Sequence, residues 1–332
     1  MDNHSILQSL MTSTFFPAVH SVLSVTALAR LVQQQYAGQD DVQLRFLRRG
    51  TNDTYLLTGL AGHPHAILRV YRAGWRTPAD LDWELSLTAS LNTAARPLPA
   101  LNGQLYGELS AIEGTRPYAV FEFVEGRMPE RTAGDAALYG RTLANLHQAS
   151  ATFPAGGRFS LDLAHLLTEP LNAIRTQLPD DPQTLNSLEE LAAGTHTRLS
   201  ALTPELRWGA CHGDPHDANA RIDQGTLRLF DFDCGGPGWL AYDLAVYWWD
   251  HALNNTPEEL ATVWPAFLNA YEDVRPLTAA ERKALPFFVL ARSFWFMGLF
   301  AGRVWVNGSE SLHPEFFRRG LNFVQDWWEE HA

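Results

Sequence analysis

Apolar positions first recur at helical spacing over residues 21–36, where Val25, Leu28, Ala29, Leu31 and Val32 fall together. Short strand-like runs follow: VQLRFL at 42–47, DTYLLTGL at 53–60 and HAILRVYR at 65–72. Residues 79–95, ADLDWELSLTASLNTAA, predict a second helix. GQLYGEL and RPYAVFEFVEG then return to strand character, the latter closed by Gly126. From residue 135 the pattern turns mostly helical, and in DAALYGRTLANLHQAS the residues Leu138, Leu143, Leu146 and His147 share roughly one face. A β-rich part with one or two helices thus precedes an α-rich part, and the change falls near residue 125. The expectation is an α+β chain of two lobes, residues 1–122 and 123–332. The most apolar segment, SFWFMGLFAGRVWV at 293–306, is shorter than the ~18 residues of a membrane span and holds Arg303, so it reads as a buried helix.

Composition narrows the choices. The net charge of -12 argues against a partner such as nucleic acid, which needs a basic surface. Two cysteines, Cys211 and Cys234, give no disulfide framework and suggest free thiols in a reducing, cytoplasmic setting. The N-terminal MDNHSILQSL lacks the basic and apolar regions of a signal peptide, and no membrane anchor is expected.

The chemistry concentrates in CHGDPHDANARIDQGTLRLFDFD, residues 211–233. Carboxylates crowded in this way need a cation, a proton or open solvent. ARI and TLRLF flank DQG, a good hairpin loop. Asn219 precedes the first strand and Asp231 follows the second. With strands about 4.8 Å apart, the two become neighbours. Two oxygen side chains so placed could share one hard divalent cation, with Mg²⁺ taking its other ligands from water and phosphate.

HGDPHDAN followed by LFDFD, and then GWLAYDLA, resembles the aminoglycoside phosphotransferase and choline kinase group, which includes homoserine kinases and shares the protein-kinase-like fold. The step from Asp214 to Asn219 equals the Asp-to-Asn step of the protein-kinase catalytic loop. The resemblance is specific over residues 211–245 and weaker over most of the chain. It implies an ATP- and Mg²⁺-dependent phosphotransferase with a small β-rich nucleotide-binding lobe and a larger helical lobe. Asp214 is then the catalytic base, Asn219 and Asp231 the magnesium ligands, His212 a scaffold residue and Asp243 an acid that braces the loop. Asp233 stands where protein kinases have the glycine of Asp-Phe-Gly; a second metal and a turn cap are both open to it. Asp217 reads as a solvated loop acid and Asp223 as a turn acid.

The same resemblance places a phosphate cover at RRGTNDTYLL, with Gly50, Thr51 and Asn52 at its turn. Arg69 in AILRVYR stands where the family carries its ATP-phosphate lysine, so the charge is kept but offered as a planar fork. Glu84 matches the acid that pairs with that cation. VFEFVEG, with Glu122 and Val124, matches the hinge that holds the adenine.

Three other readings stay open on the residues alone: a stress-response type protein kinase, a metal-dependent phosphoesterase and a non-catalytic pseudokinase. The phosphoesterase reading needs paired metal-binding histidines near both chain ends, and DNH at 2–4 is an isolated fragment. A small-molecule acceptor is favoured over a protein because Asp231 and Asp243 are joined by so short a segment, in which Gly235, Gly236, Pro237 and Gly238 predict a tight turn and a helix starts around Tyr242. The acceptor wall then falls to Tyr247, Trp248, Trp249 and Asp250, and to the helix face of Arg292, Trp295, Leu299 and Arg303.

Overall fold

The computed structural model describes residues 16–36, 38–154, 156–303, 308–310 and 312–331. The opening decapeptide, with its DNH, and residues 304–306 at the end of the apolar segment lie outside these. The chain divides into two compact units: the part up to Leu85 with Arg96–Phe123, and Ser86–Ala95 with Val124 onward.

The first unit is built on an antiparallel sheet. Helix α1 (Val25–Gln35) is followed by β1 (Gly38–Arg49), β2 (Asp53–Leu60), β3 (His63–Val70), helix α2 (Pro78–Ser90), β4 (Pro97–Leu98), β5 (Gly107–Ala111) and β6 (Gly114–Glu122). The order across the sheet is β1-β2-β3-β6-β4, with β5 pairing β6. Side-chain alternation sends Tyr55, Leu57, Leu68, Val70, Tyr118 and Val120 into one core with Leu28 and Val32 of α1. The opposite face sets Ala119 and Phe121 against Tyr71 and against Leu81 and Leu85 of α2. Of the residues at helical spacing in α1, only Leu28 and Val32 are fully buried; Val25 is exposed.

A buried polar knot, which the hydrophobic pattern does not reveal, ties this unit together. Arg116 is wholly buried. Its Nη2 donates to Asp53 Oδ2 (2.9 Å), its Nε to Tyr71 O (2.9 Å) and its Nη1 to Ser21 O (3.0 Å). Asp53 also meets Arg49 Nε and His20 Nε2. Removing one partner of a buried ion pair leaves the other charge uncompensated, so Arg116→Met should destabilise the fold by about 3–5 kcal/mol. Denaturant unfolding checks this, and a shift under about 1 kcal/mol contradicts it.

The second unit is mostly helical. In chain order it holds α3 (Ala133–Ala149), α4 (Glu169–Arg175), α5 (Pro182–Leu202), β7 (Trp208–Cys211), β8 (Ala220–Asp223), β9 (Thr226–Leu229), β10 (Gly236–Trp239), α6 (Leu240–Asn254), α7 (Pro257–Glu272), α8 (Ala279–Ala301) and α9 (Pro314–His331). Helices α7 and α8 each begin on a capping box, Thr256 with Glu259 and Thr278 with Glu281. Helix α8 packs against α4, α5, α6 and α9, which explains its apolar composition on all sides. Among the described residues it alone is long and apolar enough to cross a membrane, and 78% of its most apolar window is buried in the protein.

Three local expectations are corrected. The helix expected to run to residue 95 ends at Ser90, where Ser90 Oγ donates to Leu87 O (2.7 Å); Thr93 and Ala95 instead bond the backbone of Leu229. The expected tight turn at Gly235–Gly238 is largely strand: Gly236–Trp239 pairs antiparallel with Trp208–Cys211. Glycine is needed there for proximity, since a Cβ on Gly238 would lie 2.8 Å from Leu161 Cβ. Asp223 is not in the turn but pairs with Thr226, and Gln224 and Gly225, both at positive φ, make the two-residue connection.

Candidate active site

The His-Gly-Asp segment leaves β7 through a turn that only glycine fits. Gly213 has φ +79°, and a Cβ there would lie 2.1 Å from Cys234 O. Asp243, in the first turn of α6, anchors the segment. Its Oδ2 accepts from His212 N (2.7 Å) and its Oδ1 from Gly213 N (2.8 Å). Behind it, His147 on α3 places Nε2 3.0 Å from Asp243 Oδ2 and Nδ1 2.8 Å from the Tyr271 hydroxyl. Asp243, His147 and Tyr271 are all buried, so this chain of bonds fixes the loop from inside the helical core.

His212 is locked as a neutral ring. Nδ1 accepts from Asp214 N (3.2 Å), which leaves Nε2 to donate to Phe230 O (3.1 Å). Burial pushes its pKa below the ordinary value, against the pull of Asp243 and Asp214. It joins the loop to the end of β9 and is not placed as a proton shuttle.

Asp214 follows. Burial alone would raise its pKa, but the Arg292 guanidinium and His216 outweigh burial and hold the carboxyl well below the usual range. Arg292 Nη2 pairs with Oδ1. Asn219 Nδ2 lies 3.3 Å from Oδ2 and 3.1 Å from Asp214 O, and His216 Nε2 lies 3.5 Å from Oδ2. For His216, burial lowers the pKa, but Asp214 and then Asp250 reverse the sign and leave it raised.

The expected metal ligands flank the open end of the hairpin. Ala220 pairs with Leu229, and Phe230 N donates to Asn219 O (3.0 Å). Asn219 is buried, and its Nδ2 faces Asp214, so its amide oxygen is the atom left for a cation. Asp231 begins the next turn in the left-handed region (φ 69°, ψ 59°), which Asp tolerates better than most residues. Asp233 is buried, and its carbonyl accepts from Arg158 Nη2. Among the described residues no three His, Cys, Asp or Glu side chains converge as a self-sufficient cage. An amide oxygen beside a carboxylate instead suits a hard cation that keeps water and phosphate ligands.

The residues expected to serve the nucleotide lie in or next to the first unit. Arg69 Nη1 donates to Glu84 Oε1 (3.0 Å), and its guanidinium carbon is 5.0 Å from the Phe121 ring centre. Both members of the pair are buried. Gly50, Thr51 and Asn52 connect β1 and β2. Gly50 N donates to Asn52 O (3.1 Å), and Asn52 Oδ1 accepts from Arg72 N (3.3 Å), so the Asn52 side chain braces the turn. Glu122 ends β6, with Oε2 3.4 Å from Arg96 N. Val124 is half-buried and opens the second part of the second unit.

Sequence reasoning placed Arg292 on an acceptor wall and missed its bond to Asp214. The available signal was an arginine inside an apolar helix, because a buried cation needs a partner. Of the other candidates for that wall, Tyr247, Trp249, Trp295 and Arg303 are buried, while Trp248 is half-buried and stacks on Trp264.

The profile of the phosphotransferase enzyme family matches residues 43–277. An uncharacterized protein of Deinococcus radiodurans is 52% identical over 96% of this chain and 94% of its own length. A homoserine kinase of Afipia carboxidovorans is 32% identical over 73% of this chain and 72% of its own. The microcompartment-associated aminopropanol kinase superposes with a TM-score of 0.71 at 26% identity, covering 91% of this chain and 95% of that one. The amicoumacin kinase hAmiN, solved with AMP-PNP, Ca²⁺ and its ligand Ami, superposes at 0.74 with 20% identity, covering 92% and 94%. These superpositions show the protein-kinase-like α+β fold, with a small β-rich N-terminal part and a helical C-terminal part.

Proposed function

Because the chain belongs to the phosphotransferase enzyme family, whose kinases act on small-molecule alcohols, we propose that it transfers the γ-phosphoryl group of ATP, with Mg²⁺, to the hydroxyl of a small amino alcohol. The observation that carries this reading is the loop constellation: Asp214 held as a carboxylate at Asn219, with Asp231 at the adjoining hairpin end.

Asp214 is the group that meets the acceptor hydroxyl. The bond from the γ-phosphorus to the ADP oxygen breaks, a bond to the acceptor oxygen forms, and the hydroxyl proton passes to the Asp214 carboxylate. A weak base suffices, because the transition state is loose and the hydroxyl needs aiming more than early deprotonation. Asn219 and Asp231 would hold the magnesium, which when bound neutralises charge on the phosphate oxygens. Asp233 is a second candidate ligand. Arg69, set by Glu84, would hold the nucleotide phosphates, with Gly50 and Thr51 at the covering turn and Glu122 and Val124 bracketing the adenine.

The amine of the acceptor is supported by acids next to the loop. Asp217 is not the solvated loop acid expected: its Oδ1 is buried without a hydrogen-bond partner, and its Oδ2 lies 3.4 Å from His251 Nε2. Asp250 is half-buried, and burial raises its pKa against the opposing pull of His216 and His251. An ammonium group would compensate either carboxylate. The names of the aminopropanol and homoserine kinases point to acceptors of the same kind.

The test is a competition. Purified protein receives labelled ATP, Mg²⁺, a cytosolic protein extract and a panel of amino alcohols, hydroxylated amino acids, choline and aminoglycosides. ADP release that depends on one of the small alcohols supports the reading. Labelling of proteins with no turnover of any small alcohol overturns it.

A second expected result concerns Arg69. Loss of a charge-assisted contact worth about 1.5–3 kcal/mol should make Arg69→Ala raise the KM for ATP about 10- to 100-fold, with little change in the acceptor KM. Arg69→Lys should keep measurable activity. Wild-type kinetics in Arg69→Ala contradict the assignment.

A further inference from the structure

Arg292 lies on α8, far from the loop in sequence, and is 3% exposed. Its Nη2 pairs with Asp214 Oδ1, and its Nη1 donates to Gly213 O (3.4 Å). The guanidinium carbon is 5.0 Å from the Trp249 ring centre and 4.4 Å from that of Trp295. Both indoles are themselves tied. Trp249 Nε1 donates to Ser293 Oγ (2.9 Å), and Trp295 Nε1 to His165 Nε2 (3.1 Å). The cation therefore sits in a built holder, between aromatic faces that favour it and beside one fixed carboxylate.

The geometry limits what Asp214 can do. A carboxylate offers about four lone-pair sites. Arg292 meets Oδ1, while Asn219 Nδ2 and His216 Nε2 both lie toward Oδ2. Arg292 and Asn219 thus hold opposite oxygens of the carboxylate, and His216 Nε2, 3.1 Å from Asn219 Nδ2, stands behind the Oδ2 side. The carbonyl contact to Gly213 adds a second point, so the planar fork fixes the loop and the carboxylate together.

We propose that Arg292 is a positioning residue for phosphoryl transfer: its fork, bound to Asp214 and Gly213, aims the Asp214 carboxylate at the acceptor hydroxyl. This rests on the reading of Asp214 given above. Lysine keeps the charge but is a point and not a fork. The role is therefore one of geometry, and it predicts loss of turnover with nucleotide binding kept.

The experiment measures ADP release from Mg·ATP with 1-amino-2-propanol as acceptor probe, and with water as acceptor in its absence. Wild type is compared with Arg292→Ala, Arg292→Lys, Asp214→Asn and the Arg292→Lys/Asp214→Asn double variant. Arg292→Ala should lose about 100-fold in kcat, the scale of a misplacement of about 1 Å. Its KM for ATP should stay within about twofold, and millimolar guanidinium ion should restore part of the rate. If Arg292→Ala does not fold, Arg292→Lys carries the same test, with kcat lowered and the KM for ATP kept. The double variant should fall no further than Asp214→Asn alone, since the two residues act as one unit. Undiminished kcat in folded Arg292→Ala or Arg292→Lys overturns the proposal. So does a loss shared with ATP binding that guanidinium does not relieve, or a further loss in the double variant. Full turnover in Asp214→Asn sinks the underlying reading instead, so the two failures are told apart.

Discussion

Asp214→Asn should lose about 10²–10⁴-fold in turnover, the range that a positioned general base contributes, and should bind Mg·ATP as wild type does. The substitution keeps size and shape and removes only the charge and the basic oxygen. Beside the Arg292 ion pair, its surroundings are set by bonds that do not depend on the ionised state: Asp214 N bonds His212, Asp214 O bonds Asn219, Asp243 anchors the preceding two amides, and Arg292 keeps its bond to Gly213 O. The loop should therefore stay in place while the proton acceptor is gone. Single-turnover rates beside calorimetric ATP binding give the two numbers. Wild-type turnover in the Asn variant ends the assignment.

The second large effect is expected at Asp231. Asp231→Ala should abolish magnesium-dependent nucleotide binding. Even partners one shell out from a metal cost about 10–100-fold in affinity, and a direct carboxylate ligand should cost more. Because Asp231 is left-handed, alanine also strains the backbone by about 1–2 kcal/mol. Asp231→Asn separates the causes, since Asn accepts that conformation and keeps an oxygen while losing the charge. It should retain weak, magnesium-dependent binding. Calorimetry with ATP in the presence and absence of Mg²⁺ decides, and an unchanged magnesium increment in Asp231→Ala sinks the metal assignment.

What the sequence made legible was local. Turn chemistry in DQG between ARI and TLRLF announced the hairpin, though its two-residue connection is Gln224 and Gly225 alone, and the hairpin sets Asn219 and Asp231 at its open end. The strand-like run at residues 53–60 matched the strand residue for residue. Long-range pairing was not legible. Nothing near Gly236–Trp239 indicates that it pairs with Trp208–Cys211, because its glycines look like turn residues until the neighbouring Leu161 is in place. The Arg116 knot joins Ser21, Asp53 and Tyr71, residues with no shared sequence signal. The bond from Arg292 to Asp214 links α8 to the loop after β7, and helical spacing could only say that Arg292 shares a face with Trp295. For both arginines the cation was visible in the sequence, and its partner was not.

The central claim is that this chain makes a phosphate ester from ATP and a small amino alcohol through the Asp214 loop. Phosphorus NMR of wild type with ATP, Mg²⁺ and the acceptor selected by the panel follows both products at once. The account predicts a new phosphomonoester signal that grows in step with ADP, requires both the metal and the acceptor, and is lost in Asp214→Asn. Growth of ADP and inorganic phosphate alone with every acceptor, or an ester signal that persists undiminished in Asp214→Asn, would contradict it.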